Sequence, residues 1–150
     1  NYSIYICTMK QEHIDYIRAF NRFYTKNLGI LNKTYLGSEL GLPEIRVIQD
    51  VYLYPNRNAK AISIALNMDK GLLSRILKKL EMKGYIYREK TIKDSRAELI
   101  SLTNNGIKVY HTLDIAANQS VKEIFAGLEE NQLLEIVKSM KTISFIMARN

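Results

Sequence analysis

Eleven lysines and arginines fall between positions 57 and 96: Arg57, Lys60, Lys70, Arg75, Lys78, Lys79, Lys83, Arg88, Lys90, Lys93 and Arg96. Four acids stand among them (Asp69, Glu81, Glu89, Asp94), so this stretch carries a balance of +7, the formal net charge of the whole 150-residue chain. The rest is electrically neutral. Cations gathered on one segment are suited to one chemistry above others, the neutralisation of phosphates with release of the counterions condensed on a nucleic-acid duplex.

Other reactive residue types are sparse. His13 and His111 are far apart and have no Cys or carboxylate at ligand spacing, so no metal site is expected. Cys7 is the sole cysteine, which rules out an internal disulfide and fits a reducing compartment. It precedes Met9, a plausible natural start, and has no neighbouring base to lower its pKa, so a reactive thiol is not expected. The chain has no nucleophile elbow and no paired His and carboxylate motif, and its seven glycines never cluster into a phosphate-cradling loop. Neither enzyme activity nor a cofactor is expected. No run approaches the roughly 18 apolar residues of a membrane span, and the start lacks a secretory pattern, so the expected setting is the cytoplasm with no membrane partner.

The elements that must position the cations can be read from apolar spacing. Ile14, Ile17, Phe20, Phe23, Tyr24, Leu28 and Leu31 predict an amphipathic helix over 10–31, about 33 Å long. Pro43 suits a first helical position and Pro55 stops that helix after Tyr54, with Leu42 standing where a capping Ser or Thr would be more usual. Asn58 opens a short helix through Ala61, Ile62, Ala65 and Leu66, and Asn67-Met68-Asp69 makes a turn that can cap the next helix.

The helix expected at 70–83 divides most sharply. Leu73, Ile76, Leu77 and Leu80 share one face, while Gly71, Ser74, Arg75, Lys78 and Lys79 share the other. Gly84 ends it. Two β-prone segments, 85–91 and 97–102, flank the charged tip Ile92-Lys93-Asp94-Ser95-Arg96 and predict a hairpin. Thr103 then caps a long helix to about 125, and a last helix occupies about 129–148.

The expected fold class is therefore mainly α with a small β-hairpin wing. A winged helix-turn-helix occupies 43–102, long helices occupy 10–33 and 103–150, and all belong to one domain, 1–150. The long helices carry more apolar surface than a module of about 60 residues can cover, and a second copy would cover it. A two-fold homodimer would also set two recognition helices about one duplex turn apart.

Several residues in order resemble the MarR family of winged helix-turn-helix regulators: Ala61, Ile62, Ala65 and Leu66; Leu73-Ser74-Arg75, Leu77 and Leu80-Glu81; Gly84-Tyr85-Ile86 and Arg88; Asp94-Ser95-Arg96; Ile100-Ser101-Leu102-Thr103 with Gly106. The likeness spans about 10–149. Two further runs, Ile17-Arg18-Ala19-Phe20-Asn21-Arg22-Phe23-Tyr24-Thr25 and Asp69-Lys70-Gly71-Leu72-Leu73-Ser74-Arg75, look like the regulator half of fusions with a GNAT-type acetyltransferase.

The resemblance implies a sequence-specific, homodimeric DNA-binding transcriptional regulator, a ligand-responsive repressor of an inverted-repeat operator on double-stranded DNA. It implies that Ser74, Arg75 and Lys79 reach base edges or nearby phosphates in the major groove, with Lys70, Gly71 and Lys78 on the same surface. Lys90, Lys93, Asp94 and Arg96 form the wing, with Arg96 in the minor groove and Asp94 orienting it. Arg57 and Lys60 are expected as flanking phosphate contacts. A small-molecule effector would sit in a crevice lined by Tyr16, Phe20, Tyr24 and Tyr35. Two alternatives are the regulatory half of an acetyltransferase whose catalytic half lies beyond Asn150, and a winged helix that binds protein or RNA.

Overall fold

The computed structural model describes residues 9–32, 35–90 and 98–148. The chain runs α1 (Gln11–Asn27), α2 (Leu42–Leu53), α3 (Ala59–Ala65), α4 (Lys70–Met82), β1 (Ile86–Lys90), β2 (Glu98–Leu102), α5 (Asn104–Ile124) and α6 (Glu130–Met147). Among the described residues, six helices and one antiparallel pair of strands give the mainly helical winged architecture that the sequence predicts.

α1 stops earlier than its apolar spacing suggests. Gly29 takes a left-handed φ of +66°, and its N–H turns back to the Lys26 carbonyl, so Leu31 lies beyond the helix. At α2 the N-cap is Gly41, one residue before the Leu42 expected there, and Pro43 stands in the first turn where its missing N–H costs nothing.

The buried core consists of Leu40, Ile45, Val47, Ile48, Val51, Ile62, Leu73, Ile76, Leu77, Leu80, Ile86, Ile100 and Leu113. Its members come from α2, α3, α4, both strands and the first half of α5, together with Leu40 just ahead of α2. α1 and α6 contribute no buried residue.

The hairpin is joined to this core at two places. Ile86 and Ile100 point inward, and Ile86 pairs with Leu102 while Lys90 pairs with Glu98, so the strands leave the core with their polar ends outermost. On its other side β2 meets the segment before α3, where Asn58 bridges to Leu99 and the Ile100 N–H donates to the Arg57 carbonyl at 3.0 Å. Thr103 closes the root of the wing. Its hydroxyl donates to the Gly84 carbonyl at 2.6 Å, accepts the Gly106 N–H at 3.0 Å, and thereby starts α5.

Candidate nucleic-acid interface

Three local devices set the orientation of α4. The Asn58 side chain accepts the Ala61 N–H at 2.9 Å and starts α3. The turn after α3 is pinned reciprocally: the Met68 N–H donates to the Ser63 carbonyl at 2.9 Å and the Ser63 hydroxyl donates to the Met68 carbonyl at 2.8 Å. Asp69 then caps α4 by accepting the Leu72 N–H at 2.9 Å. At the other end Gly84, at φ +70°, lets its own N–H reach the Glu81 carbonyl and the Tyr85 N–H reach the Leu80 carbonyl, a Schellman closure. With both ends fixed, Leu73, Ile76, Leu77 and Leu80 face the core and the polar side faces out.

All six residues expected on the reading surface are exposed on α4: Lys70, Gly71, Ser74, Arg75, Lys78 and Lys79. Of these cations Lys70, Arg75 and Lys78 have no ion-pair partner among the described residues, and Lys60 on α3 and Lys90 at the end of β1 are likewise exposed and unpaired. Lys93, Asp94 and Arg96 lie outside the described residues, as does Cys7.

Two expected contacts are engaged within the protein. Arg57 donates to Asp50 Oδ1 at 2.6 Å, with the Asp50 side chain 5% exposed, and its guanidinium carbon lies 4.1 Å from the centre of the Tyr54 ring. A carboxylate buried on the core side of α2 needs that cation, so Arg57 serves first as its counter-ion. Lys79 donates to Glu44 Oε1 at 2.8 Å, bridging α4 to the first turn of α2.

Sequence reading did not single out the acids that answer these bases. Glu39 accepts from Lys83 at 2.7 Å and from the Tyr85 hydroxyl at 3.3 Å; the hydrogen bond and charge of Lys83 hold its pKa below the ordinary 4.5. Lys83 is correspondingly raised by the Glu39 hydrogen bond. Burial works to raise Glu44, but hydrogen bonds from Lys79 and from the backbone of Glu44 itself and Gly41 hold it below 4.5. Arg88 lies 3.3 Å from Glu81 and 3.6 Å from Glu98, linking α4 to the wing. A pair separated by 35 residues, as Lys79 and Glu44 are, leaves no spacing pattern in a sequence.

A crevice of about 270 Å³ opens between the end of α1, α2 and α5. Tyr24 and Tyr35 line it with Tyr110, Arg46, Gln49 and Asp114. Tyr16 and Phe20 do not line it. Tyr16 is exposed on α1, and Phe20 stacks on Tyr24 with ring centres 5.7 Å apart. Tyr110 comes from the second half of the chain and stacks on Tyr52 at 3.7 Å, a pairing that only the packing of α2 on α5 creates. Desolvation, then the charge of Asp114, raises the Tyr110 pKa above 10. Among the described residues no group of three or more His, Cys, Asp or Glu is placed to hold a metal ion, and no helix is long and apolar enough to cross a membrane.

A capped helix-turn-helix followed by a hairpin rooted on the same core defines a winged helix-turn-helix protein. The MarR family model matches residues 40–97, from the start of the core to the residue before β2. An HTH-type transcriptional regulator, SarZ, of Staphylococcus saprophyticus is 30% identical over 107 residues, which are 71% of this chain and 68% of that relative. The chain belongs to the MarR family. Its match to SarZ of Staphylococcus haemolyticus is 33% identical over 86 residues and spans 57% of each, little more than half the length of that relative. In three dimensions the chain is similar to Streptococcus pneumoniae FabT in complex with DNA, with a TM-score of 0.74 and 20% identity over 93% of this chain and 99% of that one. At that identity the likeness speaks for the fold.

Proposed function

We propose that this chain is a sequence-specific DNA-binding transcriptional regulator that acts as a homodimeric repressor on an inverted-repeat operator. The observation that carries this reading is the row of exposed cations without ion-pair partners among the described residues, Lys70, Arg75 and Lys78, on the outer face of a helix capped at both ends, with Lys60 and Lys90 on either side. Exposed cations elsewhere, such as Arg18, Arg22, Lys122 and Lys138, also lack ion-pair partners among the described residues, but those of α4 lie together on the outer face of one helix whose other face is the core. Here the missing acids are replaced by duplex phosphates, while Arg75 and Ser74 address base edges.

The wing residues Lys93, Asp94 and Arg96 extend this surface toward the minor groove, as the family resemblance implies. The lobe at 43–102 carries recognition, and 10–33 with 103–150 carry dimerisation. A small molecule in the crevice beside Tyr24 and Tyr35 shifts the separation of the two lobes to the extent that it prefers one arrangement. The relatives named as transcriptional regulators and the FabT structure solved with DNA support the reading. A cytoplasmic setting follows from it, with no catalytic role for this chain.

The likeness of 17–25 and 69–75 to acetyltransferase-fused regulators favours a second arrangement, in which a catalytic half follows Asn150. The gene sequence downstream of that residue tests it.

The test of the main reading is selection of bound sequences from a random duplex pool by the purified protein. An inverted repeat with half-sites about one turn apart is the expected product. A pool that shows no enrichment refutes sequence-specific recognition.

A further inference from the structure

Lys79 stands at the edge of the α4 reading face, yet its ammonium is already occupied. It donates to Glu44 Oε1 at 2.8 Å, and the two side chains differ in freedom: Glu44 is 15% exposed and Lys79 45%. Glu44 is held by its place in the first turn of α2, where its carboxylate also takes backbone hydrogen bonds from Gly41 and from its own N–H. Gly41 makes this possible, since a Cβ there would come within 2.9 Å of Glu44 Oε2. The acid is therefore the fixed member, fully ionised at neutral pH, and the lysine arm is the member that can move.

A carboxylate oxygen at that distance offers an ammonium the same charge-assisted hydrogen bond as a phosphate oxygen. We infer that Glu44 is a specificity-determining residue: it occupies Lys79 in the free protein, so that this lysine reaches a DNA phosphate only when α4 is seated firmly enough for the exchange to be favourable. This rests on the DNA-binding reading above. On a random duplex, held loosely through screened contacts, the phosphate does not replace what the Glu44 pair provided. On the operator, base contacts fix the helix and bring one phosphate into a constant position. Glu44 thus depresses affinity for random DNA more than affinity for the operator.

The neighbouring pair Lys83–Glu39 gives an internal control. Its geometry is similar at 2.7 Å, but it sits at the end of α4 beyond the reading face, with the Glu39 side chain 62% exposed. Removing either acid deletes one negative charge, and removal of Glu44 alone releases Lys79.

The experiment is equilibrium binding of the full chain to a random-sequence duplex over a salt series, for wild type, Glu44→Gln, Glu39→Gln, Lys79→Gln and the double variant Glu44→Gln/Lys79→Gln. Glu44→Gln is expected to bind random duplex about 3- to 10-fold more tightly, with a salt slope steeper by about 0.9 per protomer. The gain disappears in the double variant, and Glu39→Gln gives a smaller one. Affinity for the selected operator changes less, so the ratio of specific to random binding falls. Equal gains from Glu44→Gln and Glu39→Gln overturn the inference, as does a gain that survives in the double variant. Weaker binding by Glu44→Gln, accompanied by a lower melting temperature, also overturns it by showing a structural staple. If Glu44→Gln does not fold, Glu44→Asp keeps the charge one methylene short of Lys79 and is expected to give a smaller gain, the part that release of Lys79 supplies, again lost when Lys79→Gln is added. Wild-type protein with no salt-dependent duplex binding refutes the DNA-binding reading itself.

Discussion

Gly106 is tied to its neighbours more tightly than any other glycine in the described fold. A Cβ at this position would lie 2.0 Å from the Tyr85 carbonyl oxygen and 2.9 Å from its carbon, a backbone obstruction that no side-chain rotation relieves. The crowding follows from economy at the root of the wing, where the same Tyr85 carbonyl accepts the Thr103 N–H at 3.0 Å. Gly106→Ala must push α5 away from that carbonyl, and a loss of about 2 to 4 kcal/mol in urea denaturation is expected. A loss below about 0.5 kcal/mol would show that the junction yields freely. The sequence showed this glycine as part of a Leu-Thr-x-x-Gly pattern, but the carbonyl that requires it lies 21 positions earlier. Asp50 was less legible still. Its partner Arg57 lies across the Pro55 turn, and an acid among Val47, Ile48 and Val51 gives no sign of burial until that arginine is seen beside it. Charge and position alone direct Arg57 to phosphate, whereas its ion pair with Asp50 gives it an internal partner first.

At the scale of elements, legibility followed the quality of the end signals. α4 was read closely because Asp69 marks its start and Gly84 its finish, and because four apolar residues and five outward residues separate cleanly around its axis. α1 was overextended because Leu28 and Leu31 continue the helical spacing past Gly29, so periodicity outweighed a glycine that the backbone uses as a stop. The crevice was half legible: its α1 side offered Tyr24, whereas Tyr110 and Asp114 arrive from α5 only through tertiary packing. The division of labour along α4 makes a prediction of its own. In the proposed reading Arg75 addresses a base edge, and Arg75→Ala should cost about 1 to 3 kcal/mol on the operator while relaxing preference at one position. The same reading gives Lys78 a phosphate contact, so Lys78→Ala should weaken operator and random duplex alike and lower the salt slope by about 1. Fluorescence anisotropy on both duplexes separates the two cases. Equal losses on operator and random DNA for Arg75→Ala would exclude it as a base reader.

For the whole molecule, the buried core among the described residues begins at Leu40 and ends at Leu113, so stability is built mainly from the winged helix-turn-helix lobe and the first half of α5. What lies outside it is apolar but uncovered. Tyr16, Ile17, Phe20 and Phe23 on α1, Ile115 and Val121 on α5, and Leu134, Val137, Ile143, Ile146 and Met147 on α6 are all exposed in the single chain. Apolar surface of this extent on three long helices needs a cover, and in the proposed reading a second copy supplies it and joins two reading faces in one particle. The 17.4 kDa chain should therefore sediment as a dimer at micromolar concentration. Replacing Leu134 and Val137 together by Glu places both charges on one side of α6 without touching the buried core, so the variant should sediment as a folded monomer with an unchanged far-ultraviolet spectrum. Its affinity for an inverted repeat should fall by about 10²-fold or more, because the second lobe no longer binds at the effective concentration that linkage provides, while affinity for a single half-site stays the same. Losses of equal size on both sites would mean that α6 acts within each recognition lobe, and a wild-type chain that sediments as a monomer would leave the apolar faces of α1 and α6 to a different partner.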